Sequence, residues 1–482
     1  MKDERNSNYS SQGNAARTLT RRRVLANAAV TAVVGGIGVS TYLLPLRAHG
    51  QSLKTVRYWT TQGAPAQRAV YADIARLVAQ AYPNIELVIE YVSDNDVRTK
   101  LAAAMAGGTP PEIVANVGIT TPASMAAAGL LEPMDEAVRL VGSDNFERNA
   151  LSLYEVRAGH HDALPISNTS AGVFWYREDI FQEAGLAVPR YWDEFLGIAK
   201  KLTAHGIYGA CLPYGRIGMS SDYFSMLLYN AGGYILAPDD SLIFNSEPTV
   251  AALEFLKEIR EYCPPGANSY SYSETLAGFV NGASATGLYT GRVLANVAVQ
   301  NPKIDQFVRC SRFPYRREGG RYWHAAGFPS QFIPKGAANV AEANMVAAFQ
   351  YRPEIYTKFL LGAPGQNIPV LKGISTSEAF LGNPILARHK REVATLVEIC
   401  SEAETFSKPS PQHKLNPKLG LVWTSWVLGE IVQKVVVEGM QPKAAAAWGQ
   451  DKIAAILKNG WTGDKSISEQ NRDFLLIPDH RH

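Results

Sequence analysis

The chain has 482 residues, 46% of them hydrophobic, enough for two or three domains with a sizeable core. Its formal net charge of +3 is close to neutral and gives no support for nucleic-acid binding, which needs a concentrated basic surface. The four cysteines, Cys211, Cys263, Cys310 and Cys400, lie too far apart for a short metal-ligand spacing. They read as buried free thiols, with a Cys263–Cys310 disulfide as the alternative in an oxidising compartment.

The first segment, 1–50, reads as an export signal. Arg21-Arg22 stand inside Thr20-Arg21-Arg22-Arg23-Val24-Leu25, an uncharged run follows over 24–46, and Ala48-His49-Gly50 offers a small-x-small cleavage site. The paired arginines resemble the twin-arginine address, which carries folded cargo out of the cytoplasm. The competing reading is a membrane span. Gly35, Gly36, Gly38 and Ser40 make the run only weakly apolar, and no Cys at the cleavage region supplies a lipid anchor.

Beyond the leader, 53–58 reads as a strand that ends at Trp59-Thr60-Thr61. Residues 65–82 follow with Val70, Ile74, Leu77, Val78 and Ala81 at helical spacing. Residues 85–91 alternate as a second strand, 96–106 form a helix stopped by Gly107-Gly108, and 112–117 form a third strand. This order implies a parallel sheet with crossover helices. A short helix follows at 121–129. The order then breaks: 162–167 and 171–176 are extended, with Asn168-Thr169-Ser170 between them. Helices are expected at 178–184, 192–202 and 247–262, strands at 207–212 and 284–289, and one long apolar helical pattern at 419–437.

Several stretches carry a family resemblance. Leu101 to Val114, with Gly107-Gly108-Thr109-Pro110-Pro111-Glu112, is similar to an "A-x-A-x-G-x-x-P-D-V" segment. Gly129-Leu130-Leu131-Glu132-Pro133-Met134-Asp135 matches a "G-x-L-x-P-L-D" turn. Phe174-Trp175-Tyr176-Arg177-Glu178-Asp179-Ile180-Phe181, Ala184-Gly185-Leu186, Pro189 and Trp192-Asp193-Glu194-Phe195 resemble "L-Y-Y-N-K-D-L-F-x-x-A-G-L-x-x-P-x-T-W-D-E-F", with Tyr191 where Thr is usual. On these residues the chain resembles the family 1, maltose-binding-like extracellular solute-binding proteins of ABC importers.

The resemblance implies a two-lobed α/β periplasmic-binding-protein fold, class II-like, with a ligand cleft between hinged lobes. The N-terminal lobe is expected at 51–164 plus about 324–370 and the C-terminal lobe at 165–323 plus about 371–460, with 461–482 a polar tail. It also implies a monomeric periplasmic receptor, without cofactor or metal, that passes a sugar or small oligosaccharide to permease subunits. A polyol, glycerol phosphate, polyamine or other small solute is the second reading. An exported polysaccharide hydrolase is the third.

Sugars present apolar faces and rings of hydroxyls, so their sites combine aromatic platforms with planar polar groups. Ligands of open α/β sheets sit beyond the carboxyl ends of the strands. That rule selects Trp59, Thr60, Thr61 and Gln62 after the first strand, Asn116 and Gly118 after the third, and Tyr289 and Arg292 after the late strand. Asn168, Thr169 and Ser170 lie at the first crossover; Gly327, Phe328 and Ser330 lie at the second. Trp423 resembles the late stacking aromatic of the family, and Tyr214 and Asp222 are further candidates. Each has a bland alternative: Trp59 as a core anchor, Gln62 as a helix cap, Arg292 as half of a surface ion pair, and one of Trp423 and Trp426 as core. His160-His161 reads as a polar turn rather than a metal site, because adjacent strand residues face opposite ways. No Gly-x-Ser-x-Gly or Gly-rich phosphate loop with Lys occurs.

Overall fold

A computed structural model describes residues 52–459 apart from 94–95, 148–149, 152–153, 156, 158, 171, 321, 324–326 and 403–415. The expected export signal and polar tail lie outside the described residues. Among the described residues no helix is long and apolar enough to cross a membrane.

The chain opens with β1 (Lys54–Thr60), α1 (Pro65–Ala81), β2 (Ile85–Tyr91), α2 (Val97–Ala106), β3 (Ile113–Val117), α3 (Thr120–Ala127), β4 (Leu131–Glu132), α4 (Asp135–Val141) and β5 (Leu164–Pro165). Pro65 sits at the first turn of α1, where its missing N–H costs nothing. Tyr71, Ile74 and Val78 then recur on one buried face of that helix. β1 pairs in parallel with β2 and β3, as the strand–helix–strand order predicts. The sheet order is β2-β1-β3-β9-β4, with β5 also on β9, and β9 (Ser330–Pro334) runs antiparallel to β3, β4 and β5. A strand from far along the chain thus completes the first sheet. Helices α11 (Val340–Phe349) and α12 (Pro353–Leu361) follow it there. Asn344 Oδ1 accepts the Ala137 N–H, and Phe359 packs edge-on against Tyr71. The break between these two helices falls where Pro353 opens a new first turn.

The second sheet is antiparallel, in the order β7-β6-β8. β6 (Val173–Arg177) is its centre, flanked by β7 (Thr286–Tyr289) and β8 (Val308–Arg312). Around it lie α5 (Glu178–Glu183), α6 (Trp192–Thr203), α7 (Gly218–Asn230), α8 (Glu247–Ile259), α9 (Tyr272–Val280) and α10 (Arg292–Gln300). The last elements are α13 (Glu378–Leu381), α14 (Pro384–Arg388), α15 (Lys390–Ser401), α16 (Pro417–Thr424), α17 (Val427–Val436) and α18 (Pro442–Asn459). An aromatic core of Phe174, Phe195, Phe255, Phe313 and Trp192 fills the space between sheet and helices.

Two sequence expectations are corrected. Residues 207–212 form no strand: Ala210, Cys211 and Leu212 are buried, but the segment makes only a single bridge, Tyr208 to Ser284. Apolar content there reports burial, not ladder pairing. The apolar run 419–437 is two helices. Trp426 takes a left-handed φ of 55° between them, and Ser425 Oγ accepts the Val427 N–H. Trp423 therefore ends one helix instead of starting a long one, and Trp426 is not on its helix. The four cysteines are buried free thiols, so the Cys263–Cys310 disulfide is not formed.

Three chain segments join the two sheets, near 164–170, 327–330 and 367–370. They hydrogen-bond to one another: Ile166 N–H to Pro329 O, Gly327 N–H to Thr169 O, and Asn168 and Ile368 through a mutual pair. Three buried tyrosines fasten them. Tyr351 donates to Pro165 O at 2.8 Å, Tyr154 to Phe328 O at 2.6 Å and Tyr356 to Ile166 O at 2.7 Å.

Candidate functional site

The ends of β1 and β3 are knotted together. Thr60 Oγ1 accepts from Asn116 Nδ2 at 2.9 Å and from Gln62 N–H at 3.2 Å, and donates to Tyr71 OH. Asn116 Nδ2 also reaches Tyr71 OH, and Thr61 Oγ1 donates to the Asn116 carbonyl at 3.0 Å. Asn116 adopts φ 62° at a register shift in the ladder, which turns its side chain toward Thr60 and Tyr71. Its amide N–H groups serve this buried knot, while its Oδ1 is buried without a partner among the described residues. Trp59 is 8% exposed, and its indole N–H likewise has no partner among the described residues.

The crossover residues divide by exposure. Ser330 is fully buried and donates to Val117 O at 3.0 Å. Asn168 Nδ2 donates to Cys400 O at 2.6 Å, and the Phe328 carbonyl takes the Tyr154 hydroxyl. Ser170 is buried. These residues hold the hinge. Gly118 is exposed and Thr169 half-buried, and they meet at Gly327. A Cβ on Gly327 would stand 2.2 Å from Thr169 Oγ1, and one on Gly118 would stand 3.8 Å from Gly327 O. A side chain at position 327 would force the Thr169 hydroxyl aside, because two crossovers touch there.

On the second sheet, Tyr289 ends β7 and Arg292 begins α10, and the two side chains interact. Burial pushes the Tyr289 phenol up, against the pull of the Arg292 guanidinium. Asp222, near the start of α7, accepts the Trp423 indole N–H at 2.8 Å. Burial raises the Asp222 carboxyl to about 7, with the indole hydrogen bond opposing. The Arg98 guanidinium lies over the Trp423 ring at 5.5 Å, and Arg98 Nε donates to Thr121 Oγ1 at 3.1 Å. A Cβ on Gly218 would meet Trp423 at 3.1 Å and the Tyr272 hydroxyl at 3.2 Å, so that glycine lets two aromatic side chains close over one point. Tyr272 is 47% exposed.

The structure thus brings together Thr61, Gln62 and Asn116, then Gly118, Thr169 and Gly327, then Tyr289 and Arg292, and sets Trp423 against Asp222. Tyr214 is elsewhere: it is fully buried, and its hydroxyl donates to Leu256 O. His160 and His161 both contact Asp135, as a polar turn does. Sequence reading missed Arg98, Thr121, Gly218 and Tyr272. A lone arginine or threonine on a helix carries no signal of its own. Gly218, at the N-terminus of α7, was a detectable cue for a close approach.

Two α/β lobes, three mutually bonded crossovers, and aromatic and polar groups gathered beyond strand ends define a hinged binding protein. Comparison with known proteins gives the family. The chain belongs to the bacterial extracellular solute-binding proteins, which match residues 59–356, more than half its length. A putative ABC transporter periplasmic-binding protein of Escherichia coli, YcjN, is 22% identical over 80% of this chain and 90% of its own. The mannitol-binding protein of Pseudomonas aeruginosa is 28% identical over 44% of this chain and 50% of its own. Maltose-bound T. maritima MalE3 superposes with a TM-score of 0.70 at 19% identity, covering 84% of this chain and 100% of that one. A solute-binding protein from Agrobacterium radiobacter in complex with ribitol gives 0.69 at 21% identity, covering 84% and 99%.

Proposed function

We propose that this solute-binding protein is the receptor of an ABC importer, and that it captures a sugar, small oligosaccharide or polyol by hinge closure. The lobes in this reading are 51–164 plus about 324–370, and 165–323 plus about 371–460. Contacts from both lobes stabilise the closed form, and only that form engages the permease productively. The observation that carries the reading is Trp423. Its half-buried ring is oriented by Asp222 and faced by Arg98, giving an aromatic platform beside polar groups, as a polyhydroxylated ligand requires. The mannitol-binding relative and the maltose- and ribitol-bound structures support the same ligand class. The protein works as a monomer in the periplasm, delivered by the twin-arginine-type signal at 1–50, and releases its solute unchanged. Trp59, Thr61, Gln62, Asn116, Gly118, Asn168, Thr169, Ser170, Tyr289, Arg292, Gly327, Phe328, Ser330 and Trp423 line or support the cleft.

The test is a thermal-shift panel on the chain from Gln51 onward, with mono- and disaccharides, polyols, glycerol phosphate, polyamines and metal ions. A ligand at a hundred times its dissociation constant adds about 2.7 kcal/mol, a readable shift. A shift with one carbohydrate or polyol, recovered intact, supports the reading. A shift confined to glycerol phosphate, a polyamine or a metal overturns the ligand class. Arg98 and Arg292 favour the phosphate ester as second reading.

A further inference from the structure

Helix α16 stands between the lobes. It packs against α3 beside the first sheet, and against α7, α17 and α18 beside the second. The approach to α3 is close: a Cβ on Gly420 would lie 2.8 Å from Ser124 Oγ. One turn further on, the Trp423 ring receives the Arg98 guanidinium from α2, while its N–H is held by Asp222 from α7. Arg98 is itself tethered to Thr121 on α3. A continuous chain of contacts, Thr121–Arg98–Trp423–Asp222, therefore runs from one lobe to the other.

The geometry points to Arg98 as a positioning residue: it locks the Trp423 platform from the opposite lobe, so that this chain of contacts latches the lobes as they close. The inference rests on the hinge-closure reading and deepens it. Arg98 adds to solute affinity by stabilising the closed form and the indole orientation. The guanidinium suits the task because one planar group both covers an aromatic face and donates Nε to a hydroxyl. A lysine supplies charge without that fork.

The test uses the close approach at Gly420. Ser124→Cys with Gly420→Cys places two thiols within disulfide reach, so the rate of bridge formation under a mild oxidant reports how often the lobes meet there. The four native cysteines are buried and stay out of the reaction. In this background, without solute, Arg98→Ala is expected to slow bridging about three- to fivefold, as loss of a partly exposed cation–π contact implies. Arg98→Lys is expected to fall between the two, with the melting temperature of the reduced protein unchanged. Equal bridging rates with and without Arg98, or no bridging in the parent pair, would overturn the latch. Failure of the receptor reading looks different: no sugar or polyol raises the bridging rate or the melting temperature, whatever residue 98 is.

Discussion

Tyr356 is the sharpest place to test how the hinge is held. It is 1% exposed, donates to Ile166 O at 2.7 Å and accepts from Val370 N–H at 2.9 Å, joining two crossovers through one oxygen. Its ring stacks on Tyr351 and Phe359, so Tyr356→Phe keeps the packing and removes only the hydroxyl. Ile166 and Val370 are both buried, so water cannot replace the lost partner. Each orphaned backbone group costs about 1–3 kcal/mol, so the pair should cost about 2–6 kcal/mol. Urea unfolding of the chain from Gln51 onward should show the midpoint falling at unchanged slope. Tyr214→Phe is the comparison, because its hydroxyl makes only long contacts, 3.3 Å to Leu256 O and 3.9 Å to Cys263 Sγ, and should cost about 1 kcal/mol. A loss below about 0.5 kcal/mol for Tyr356→Phe would refute the claim that these hydroxyls fasten the crossovers.

Three further perturbations have defined outcomes. His389 Nε2 sits 2.8 Å from Asp305 Oδ1, with Glu392 3.6 Å from Nδ1; burial pulls the imidazole down, yet the two carboxylates hold it raised overall. Its contribution is complete below the unfolded value near 6.5 and fades as pH rises through the folded one, so the stability gap between wild type and His389→Gln should close in alkali. Asp222, raised to about 7, carries the same pH sign at lower pH: the fold loses stability as pH climbs from the carboxylate's ordinary 3.8 toward 7. Asp222→Asn should therefore out-stabilise wild type most above about pH 7 and lose that advantage in acid, read by melting temperature across pH. Gly327→Ala should cost about 1–3 kcal/mol by forcing Thr169 away, and Thr169→Ala in the same chain should recover part of it; strict additivity of the two changes would contradict the contact.

The first five elements were legible because local pattern and tertiary role agree there. Val56, Tyr58 and Thr60 are buried on β1, and Tyr71, Ile74 and Val78 form the face of α1 that covers the sheet. What failed was long-range. β9 pairs with β3, from which more than two hundred residues separate it, and no local pattern announces an antiparallel insertion. The apolar run 419–437 hid a left-handed residue, Trp426, because hydrophobic spacing is blind to a one-residue break. For the candidate site, strand ends were readable from topology, which is why Thr61, Asn116, Tyr289 and Arg292 were expected there. Whether a side chain faces the cleft or the interior was not readable: Asn116 and Ser330 turned inward to bond Thr60 and Val117 O. Arg98 escaped because its meaning comes only from the indole that the fold sets against it.

The two ends of the cleft are built from interactions of different strength, and a hinged receptor needs that difference. At the hinge, buried tyrosine hydroxyls and paired backbone groups are satisfied with little exposure to water, each about 1–3 kcal/mol to break. At the far side, the Arg98 guanidinium over the half-buried Trp423 ring carries about 0.5–2 kcal/mol, a scale that thermal motion and solvent can reverse. If the strengths were exchanged, the lobes would separate at their joint or stay shut without ligand. With the strong bonds at the crossovers, the crossovers persist while the weak latch opens and closes. A solute bridging both lobes then adds directly to the weaker term, so a few kcal/mol of ligand contact suffices to move the population from open to closed.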